Sequence, residues 1–576
     1  MKHLYRFRFL LLTISIGMSA LFSCSDNDDD AKDDNNAESI TIQFSTDEYK
    51  VKLGNEIIIE PAVAKAINPI YVWTIDGNIV SSESSFLFKG ETLSESFLTL
   101  KVIAENGTAV EQVKLSVVDK LPPQISFGAE QVAFLGKATE LAATVEYTDA
   151  STKFEWMAAD GEVISTDSVY VFTGTVVNTF NMSLKVSNMD GVSSINFGMS
   201  VLPEPTATLF FDNGRYIVPS EFKDPNAMRK MSVPIGKTLV MAPVKMHMGD
   251  NVVYEWAVDG AAQSGVTGEY FNFKPAAQGE YIVSVTGTGT GGTASTKVKV
   301  VCTPPEGTYF HKLTESSKYW SNTCFEFIPA PGQFVNYQEN SKAEDARLTI
   351  HTLVSKNTYP SASYLASIGA FGGYIIFGFD HSVENLDGPD LDVGGNAFAG
   401  WGEPGIIWVM QDENGNGLPD DTWYELAGSE TGKPTATQRF TMTYFRPSKD
   451  NSNIVWIDSN GRTGSIDNNG YHNQKSYFPM FMTEESYTLT GTYLASSFTN
   501  NGIEYNQSYD WGYADNINTR EGLYLEDAIQ QDGSPANLKY IDFIKVHTAQ
   551  QAKGAAVGEI STEPKCPVDY KMKLKN

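Results

Sequence analysis

Residues 411–430 read QDENGNGLPDDTWYELAGSE, and the first ten of them space oxygen-bearing side chains as a hard cation requires. Asp412, Asn414, Asn416, Gly417 and Asp420 stand at positions 1, 3, 5, 6 and 9 of a calcium-type loop, with Leu418 able to offer its carbonyl from position 7. Ca2+ takes about six to eight oxygens, and short polar side chains folded around a glycine turn supply them. Position 12 departs from the pattern: Trp423 stands where a bidentate glutamate is expected, so Asp421 or Glu425 has to provide that charge. The flanks GIIWVM and TWYELAG alternate as strands, which excludes an EF-hand and points to a loop between strands. The expected ligands of a structural Ca2+ are Asp412, Asn414, Asn416, Asp420 and Asp421. The competing reading is a metal-free turn closed by Asx hydrogen bonds.

Upstream, FDHSVENLDGPDLDVGGNAF sets Asp380, Asp387, Asp390 and Asp392 among glycines, as a second calcium site or as a solvated loop. Hydrolase signatures are missing: the sequence holds no HExxH zinc helix, no GxSxG nucleophile elbow and no CxxC pair. His381 and His472 are the least isolated of the seven histidines. The remaining chemistry is aromatic and amide-rich, in AFAGWGEPG, DDTWYELAG, NNGYHNQKSYF and NQSYDWGYADNIN. Rings flanked by Asn and Gln suit flat ligands rimmed with hydroxyls or amides, such as sugars or the corrin disc of cobalamin. The expected ligand contacts are Trp401, Trp423, Tyr424, Tyr471, His472, Trp511 and Tyr513. No catalytic residue is assigned.

The elements that must position these residues are strands. From residue 40 to 302, period-two runs such as ITIQFS, YKVKLG and KVKVV are broken by Gly, Asn and Asp, and a unit recurs at Trp73, Trp156 and Trp256. A tryptophan on one inner strand, facing an alternating strand of the opposite sheet, fills the core of a small sandwich. The expected fold is therefore all-β. Three immunoglobulin-like modules at 40–119, 120–204 and 205–302 form a stalk, followed by a larger C-terminal β-sandwich or jelly roll at 303–576, with only a weak helical suggestion at LYLEDAIQ.

The amino terminus reads as an address. Lys2, Arg6 and Arg8 precede FLLLTISIGM, and SALFSC resembles a bacterial lipobox, making 1–23 a signal peptide and Cys24 the lipidated residue. Residues 24–39 form an acidic tether too polar to order itself. A formal net charge of −28, from 70 acidic and 42 basic residues, repels phosphate backbones and excludes nucleic acid as a partner. The other cysteines are Cys302, Cys324 and Cys566, of which one pair could bridge.

The run LDGPDLDVGGNAFAGWGEPGIIWVMQDENGNGLPDDTWYELAGSE, with NLKYIDFIKVHT and GEISTE, resembles surface lipoproteins of Bacteroidetes that carry PKD-like modules. Some of those resemble cell-surface vitamin B12-binding proteins that serve TonB-dependent cobalamin transporters. The resemblance implies a non-enzymatic protein, anchored in the outer membrane by lipid and facing the exterior. It would bind cobalamin as a ligand and pass it to such a transporter. A surface glycan-binding protein or glycoside hydrolase on the same architecture is the alternative.

Overall fold

The computed structural model describes residues 39–224, 228–338, 343–360, 365–472, 474–500, 504–554 and 557–575. The leader and Cys24 lie outside the described residues. The chain divides into two compact units, one ending at Pro122 and one starting at Pro123.

The fold is mostly β: three repeated immunoglobulin-like sandwiches precede larger C-terminal sheets. In the first module the strands Glu48–Lys52, Gly107–Val118, Ser94–Ala104, Ile70–Ile75 and Asn78–Ser81 form one sheet in that order. The second and third modules repeat the arrangement, beginning with Glu130–Phe134 and Arg229–Pro234. In each, the first strand pairs parallel to the last, so a fixed register is reused three times. Trp73, Trp156 and Trp256 are buried, and each indole donates to a backbone oxygen ten to twelve residues on: Glu83 at 2.7 Å, Asp167 at 2.9 Å and Gly268 at 3.0 Å. The tryptophans are structural because their polar edge is spent inside the module.

The C-terminal region has three layers. A six-stranded antiparallel sheet runs in the order Thr323–Ile328, Tyr374–Glu384, Tyr540–Thr548, Gly405–Met410, Tyr424–Leu426, Ala528–Ile529. One face packs on a four-stranded sheet through Ile376, Met410 and Phe543 against Phe440, Met442 and Leu489. The other face packs on the helix Ala343–Val354 through Ala346, Ile350 and Val354. That helix is missing from the strand-only expectation, although apolar residues every fourth position mark it. LYLEDAIQ is instead a 3-10 turn, Leu525–Asp527, followed by a short strand.

The third module is not a free link of a stalk. Tyr216 and Val218 pack against the core between the two C-terminal sheets, and Ile217 pairs with Thr488. Polar groups seal the same seam: Thr422 Oγ1 donates to Ser232 O at 2.7 Å and accepts from Ser232 N at 2.9 Å, while Lys545 Nζ donates to Gly214 O at 2.7 Å. Arg439 Nη2 donates to Glu269 at 3.0 Å, and Lys230 meets Asp420 at 3.2 Å. A buried ammonium satisfied by one backbone carbonyl fixes the two bodies together, because losing that acceptor would strand a charge in low dielectric.

Among the described residues the cysteines form no bridge. Cys302, Cys324 and Cys566 are buried free thiols, and burial pushes Cys324 and Cys566 up to about 12.

Candidate functional site

The acidic loop is closed by its own side chains. Asp412 is fully buried: Oδ1 accepts from Gly415 N at 2.7 Å and Asn416 N at 3.2 Å, and Oδ2 accepts from Gly417 N at 2.8 Å. The Asn414 amide donates to Asp420 Oδ1 at 2.9 Å and Asp421 Oδ1 at 2.8 Å, and that of Asn416 donates to Asp420 Oδ1 at 3.1 Å. The side chains named as cation ligands therefore do converge, through Asx bonds of the competing turn. Carboxylate and carboxamide oxygens are the donor types a hard cation takes, but here they are engaged within the loop, Asn414 Oδ1 accepting from Asn416 N at 3.0 Å. Burial pushes Asp421 up to about 6 and Glu413 up to about 8, and a divalent ion would offset that crowding. Lys230 already supplies one positive charge to Asp420, and among the described residues no group of three or more His, Cys, Asp or Glu side chains is placed to ligate a metal.

In the second acidic run Leu386, Asp387 and Gly388 are exposed, as in a solvated loop, while its other aspartates are paired. Asp390 is buried, accepting from Leu386 N at 3.1 Å and Leu525 N at 2.9 Å and pairing with Lys571, and Asp392 pairs with Lys573 at 2.9 Å. His381 lies buried between Asp380 at 2.9 Å and Asp569 at 3.2 Å; burial opposes its charge, but the two carboxylates prevail and raise it to about 9. These groups tie the carboxyl-terminal segment to the sheet.

The seven expected contact residues separate. Trp423 and Tyr424 are buried on opposite faces of the six-stranded sheet, in two different cores, and Tyr513 is buried with its hydroxyl accepting from Glu430 N at 3.0 Å. Those three rings belong to the interior, which corrects their assignment as ligand contacts. Trp511 is half-buried, and its ring face is taken by Arg520, whose guanidinium carbon lies 4.2 Å from the ring centroid and 4.1 Å from that of Tyr524. Trp401, Tyr471 and His472 remain accessible, and hydrogen bonds through residues 557–559 link the segments that carry them.

Those segments are joined through Val557 and Glu559. Val557 N donates to Glu504 Oε2 at 2.9 Å, and Tyr505, 40% exposed, lays its ring over Gly400, where a Cβ would come within 2.8 Å of it. Trp401 pairs with Phe398 across a tight turn and meets Phe498 edge-on at 6.2 Å; Phe398 is 63% exposed. On the other side Gln333 N donates to Glu559 Oε1 at 2.8 Å, Asn469 Nδ2 donates to Gln333 Oε1 at 3.3 Å, and neighbouring Phe334 meets His472 at 4.7 Å. Tyr471 is 80% exposed.

The same segments carry four carboxyl groups that sequence reading did not single out: Glu403, Asp515, Glu559 and Glu563, all buried. Asp515 accepts from Ala397 N at 2.8 Å and Glu563 N at 2.7 Å, knotting AFAGWGEPG to GEISTE. Its φ of 49° is a left-handed conformation that Asp tolerates. Glu403 Oε1 accepts from Ser561 N at 3.1 Å. Burial raises Asp515 to about 7 and Glu559 and Glu563 to about 8; burial and the neighbouring acids carry Glu403 well above the carboxylate range. Burial thus favours the protonated forms, which both donate and accept hydrogen bonds. A cleft of about 870 Å³ where the third module meets the four-stranded sheet, lined by Phe210, Ile217, Phe222 and Met246, contains none of the motif residues.

Residues 39–104 match the family model of the PKD-like domain. No curated protein matches the chain. Solved structures similar to it include the fibronectin(III)-like modules of Clostridium thermocellum CbhA, at 16% identity over 29% of this chain and 95% of that one, TM-score 0.16. Others are the I67–I69 fragment of titin, at 12% identity over 46% and 98%, TM-score 0.14, and three N-terminal domains of the bacteriophage RB49 Hoc protein, at 14% over 46% and 99%, TM-score 0.17. Likeness at these TM-scores carries no argument about the chain.

Proposed function

We propose that the chain is a lipid-anchored, surface-exposed binding protein whose C-terminal edge captures cobalamin for a TonB-dependent outer-membrane transporter, without catalysis. The observation that carries this reading is the set of accessible rings Phe398, Trp401, Tyr505, Tyr471 and His472, carried on segments that hydrogen bonds join through Val557 and Glu559. Exposed rings bind a broad, partly apolar disc by area and stacking. Amide and carboxyl groups between them suit a rim of carboxamides. Glycan capture on the same rings is the second reading. Glycoside hydrolysis is the third, because raised carboxyls such as Glu563 have the protonation a general acid needs.

Co-elution separates these readings. The full chain mixed with cyanocobalamin is expected to leave a sizing column as a coloured protein peak. A colourless peak, with retention on a polysaccharide gel or release of reducing sugar, would replace cobalamin capture by glycan binding or hydrolysis.

Calcium belongs to the same proposal as a staple for residues 412–421, held by Asp412, Asn414, Asn416, Asp420 and Asp421. Added Ca2+ is expected to raise the melting temperature of the second unit and chelation to reverse it, by mass action on the folded state. An identical melting curve in calcium and in chelator would leave the loop as an Asx turn.

A further inference from the structure

The cleft of about 870 Å³ between the third module and the four-stranded sheet has the size of a small-molecule site, about 300–1,000 Å³. Its lining is mostly apolar. Phe210, Ile217 and Met246 are buried in one small core, and Phe222, 36% exposed, meets Phe210 edge-on at 5.7 Å. Lining hydroxyls are spent on one another, Thr443 with Thr488 at 2.7 Å and Thr286 with Ser295 at 2.8 Å. The lining acids are engaged as well: Glu221 accepts from Arg229 Nη2 at 3.3 Å, Glu204 pairs with Lys137 at 2.9 Å, and Asp224 is not free. Two basic side chains of the lining stand apart. Among the described residues Lys297 has neither an ion pair nor a hydrogen bond, and the His247 ring has no hydrogen bond. Lys297 lies opposite Ser284 and alternates with buried Val298, so it leaves the outer face of the third module's sheet. Burial lowers the His247 pKa, which keeps the ring neutral at neutral pH with one donor and one acceptor.

We propose that this cleft binds a small organic anion, a carboxylate carried on an aromatic or alicyclic body, with the body against Phe210, Phe222 and Met246 and the carboxylate on Lys297. An entering anion gains a charge-assisted partner in Lys297 without breaking an existing pair. An entering cation would have to displace Arg229 from Glu221 or Lys137 from Glu204. The net charge of −28 does not forbid an anion here, because charges beyond about 8 Å are largely screened at physiological ionic strength. His247 supplies a neutral N–H donor. The site is separate from the accessible rings and does not depend on cobalamin capture.

Titration calorimetry of the full chain with 2-naphthoate, beside the neutral 2-naphthalenemethanol, tests the site. Saturable binding of naphthoate is expected, about tenfold weaker in Lys297→Met, which keeps an apolar stem and loses the charge. The alcohol is expected to bind the wild type about tenfold more weakly than naphthoate and to be indifferent to Lys297→Met. Phe222→Ala should weaken both probes, since it removes the ring they share. No saturable naphthoate binding by the wild type, or equal naphthoate affinity in wild type and Lys297→Met, would overturn the proposal. Equal affinity of the wild type for acid and alcohol would overturn it too, and that comparison needs no variant to fold. Because neither probe is cobalamin, a failed co-elution removes the cobalamin reading and leaves this result standing.

Discussion

Gly214→Ala is expected to destabilise the second unit by about 3 kcal/mol or more, because it breaks a backbone requirement, a ring contact and a buried charge together. Gly214 has φ +82°, and a Cβ there would lie 2.4 Å from Trp423 Cδ1 and 2.6 Å from its Nε1. The ring cannot retreat, being packed in the core between the two C-terminal sheets. Relief must come from the Gly214 backbone, whose carbonyl is the acceptor of buried Lys545 Nζ at 2.7 Å. That ammonium lies over the Tyr374 ring, and burial already lowers its pKa. Gly236→Ala is the control: φ is +89° and nothing lies within 4 Å of its Cβ, so it carries the conformational cost alone, about 1 kcal/mol. Calorimetry of the full chain reads the difference, and equal losses in the two variants would mean that Gly214 is not the keystone of the seam.

Thermal stability of the second unit is expected to peak at about pH 4 to 5, in the ordinary carboxylate range, and to fall on both sides. On the alkaline side Asp515 is raised to about 7 and Glu559 and Glu563 to about 8, so their contribution is complete below the ordinary carboxylate range and is lost as pH rises through those values. His381, raised to about 9, acts in the same direction from its ordinary value upward. On the acid side His547, lowered to about 3 by burial and then by Lys545, is stabilising when neutral, and this is lost as pH falls from its ordinary value toward 3. A drop on the order of 5 °C between pH 6 and 8.5 is expected. Glu563→Gln should flatten that limb. A melting temperature that rises steadily to pH 8.5 would contradict the buried, proton-holding state of the cluster.

The modules were legible because one tryptophan, one turn and one facing strand recur, and each indole repeats the same backbone bond. The acidic loop was legible as a spacing, and its named side chains do meet. What failed was the reading of TWYELAG as a ligand face. Alternation tells that Trp423 and Tyr424 point to opposite sides of a sheet, but not that this sheet is a middle layer with both sides covered. Nor does local sequence show that Arg520 occupies the face of Trp511. The carboxyl cluster was invisible for a different reason: Glu403, Asp515 and Glu563 come from segments more than forty residues apart, joined by long-range backbone bonds to Asp515 and Glu403.

Equilibrium titration of the full chain with cyanocobalamin, beside Trp401→Ala and Trp423→Phe, tests the central claim most directly. Saturable binding by the wild type is predicted, weakened about tenfold or more by loss of the Trp401 ring, while Trp423→Phe, a change inside the core, keeps wild-type affinity. Absence of binding by the wild type, or equal affinity in wild type and Trp401→Ala, would contradict capture of cobalamin at this edge.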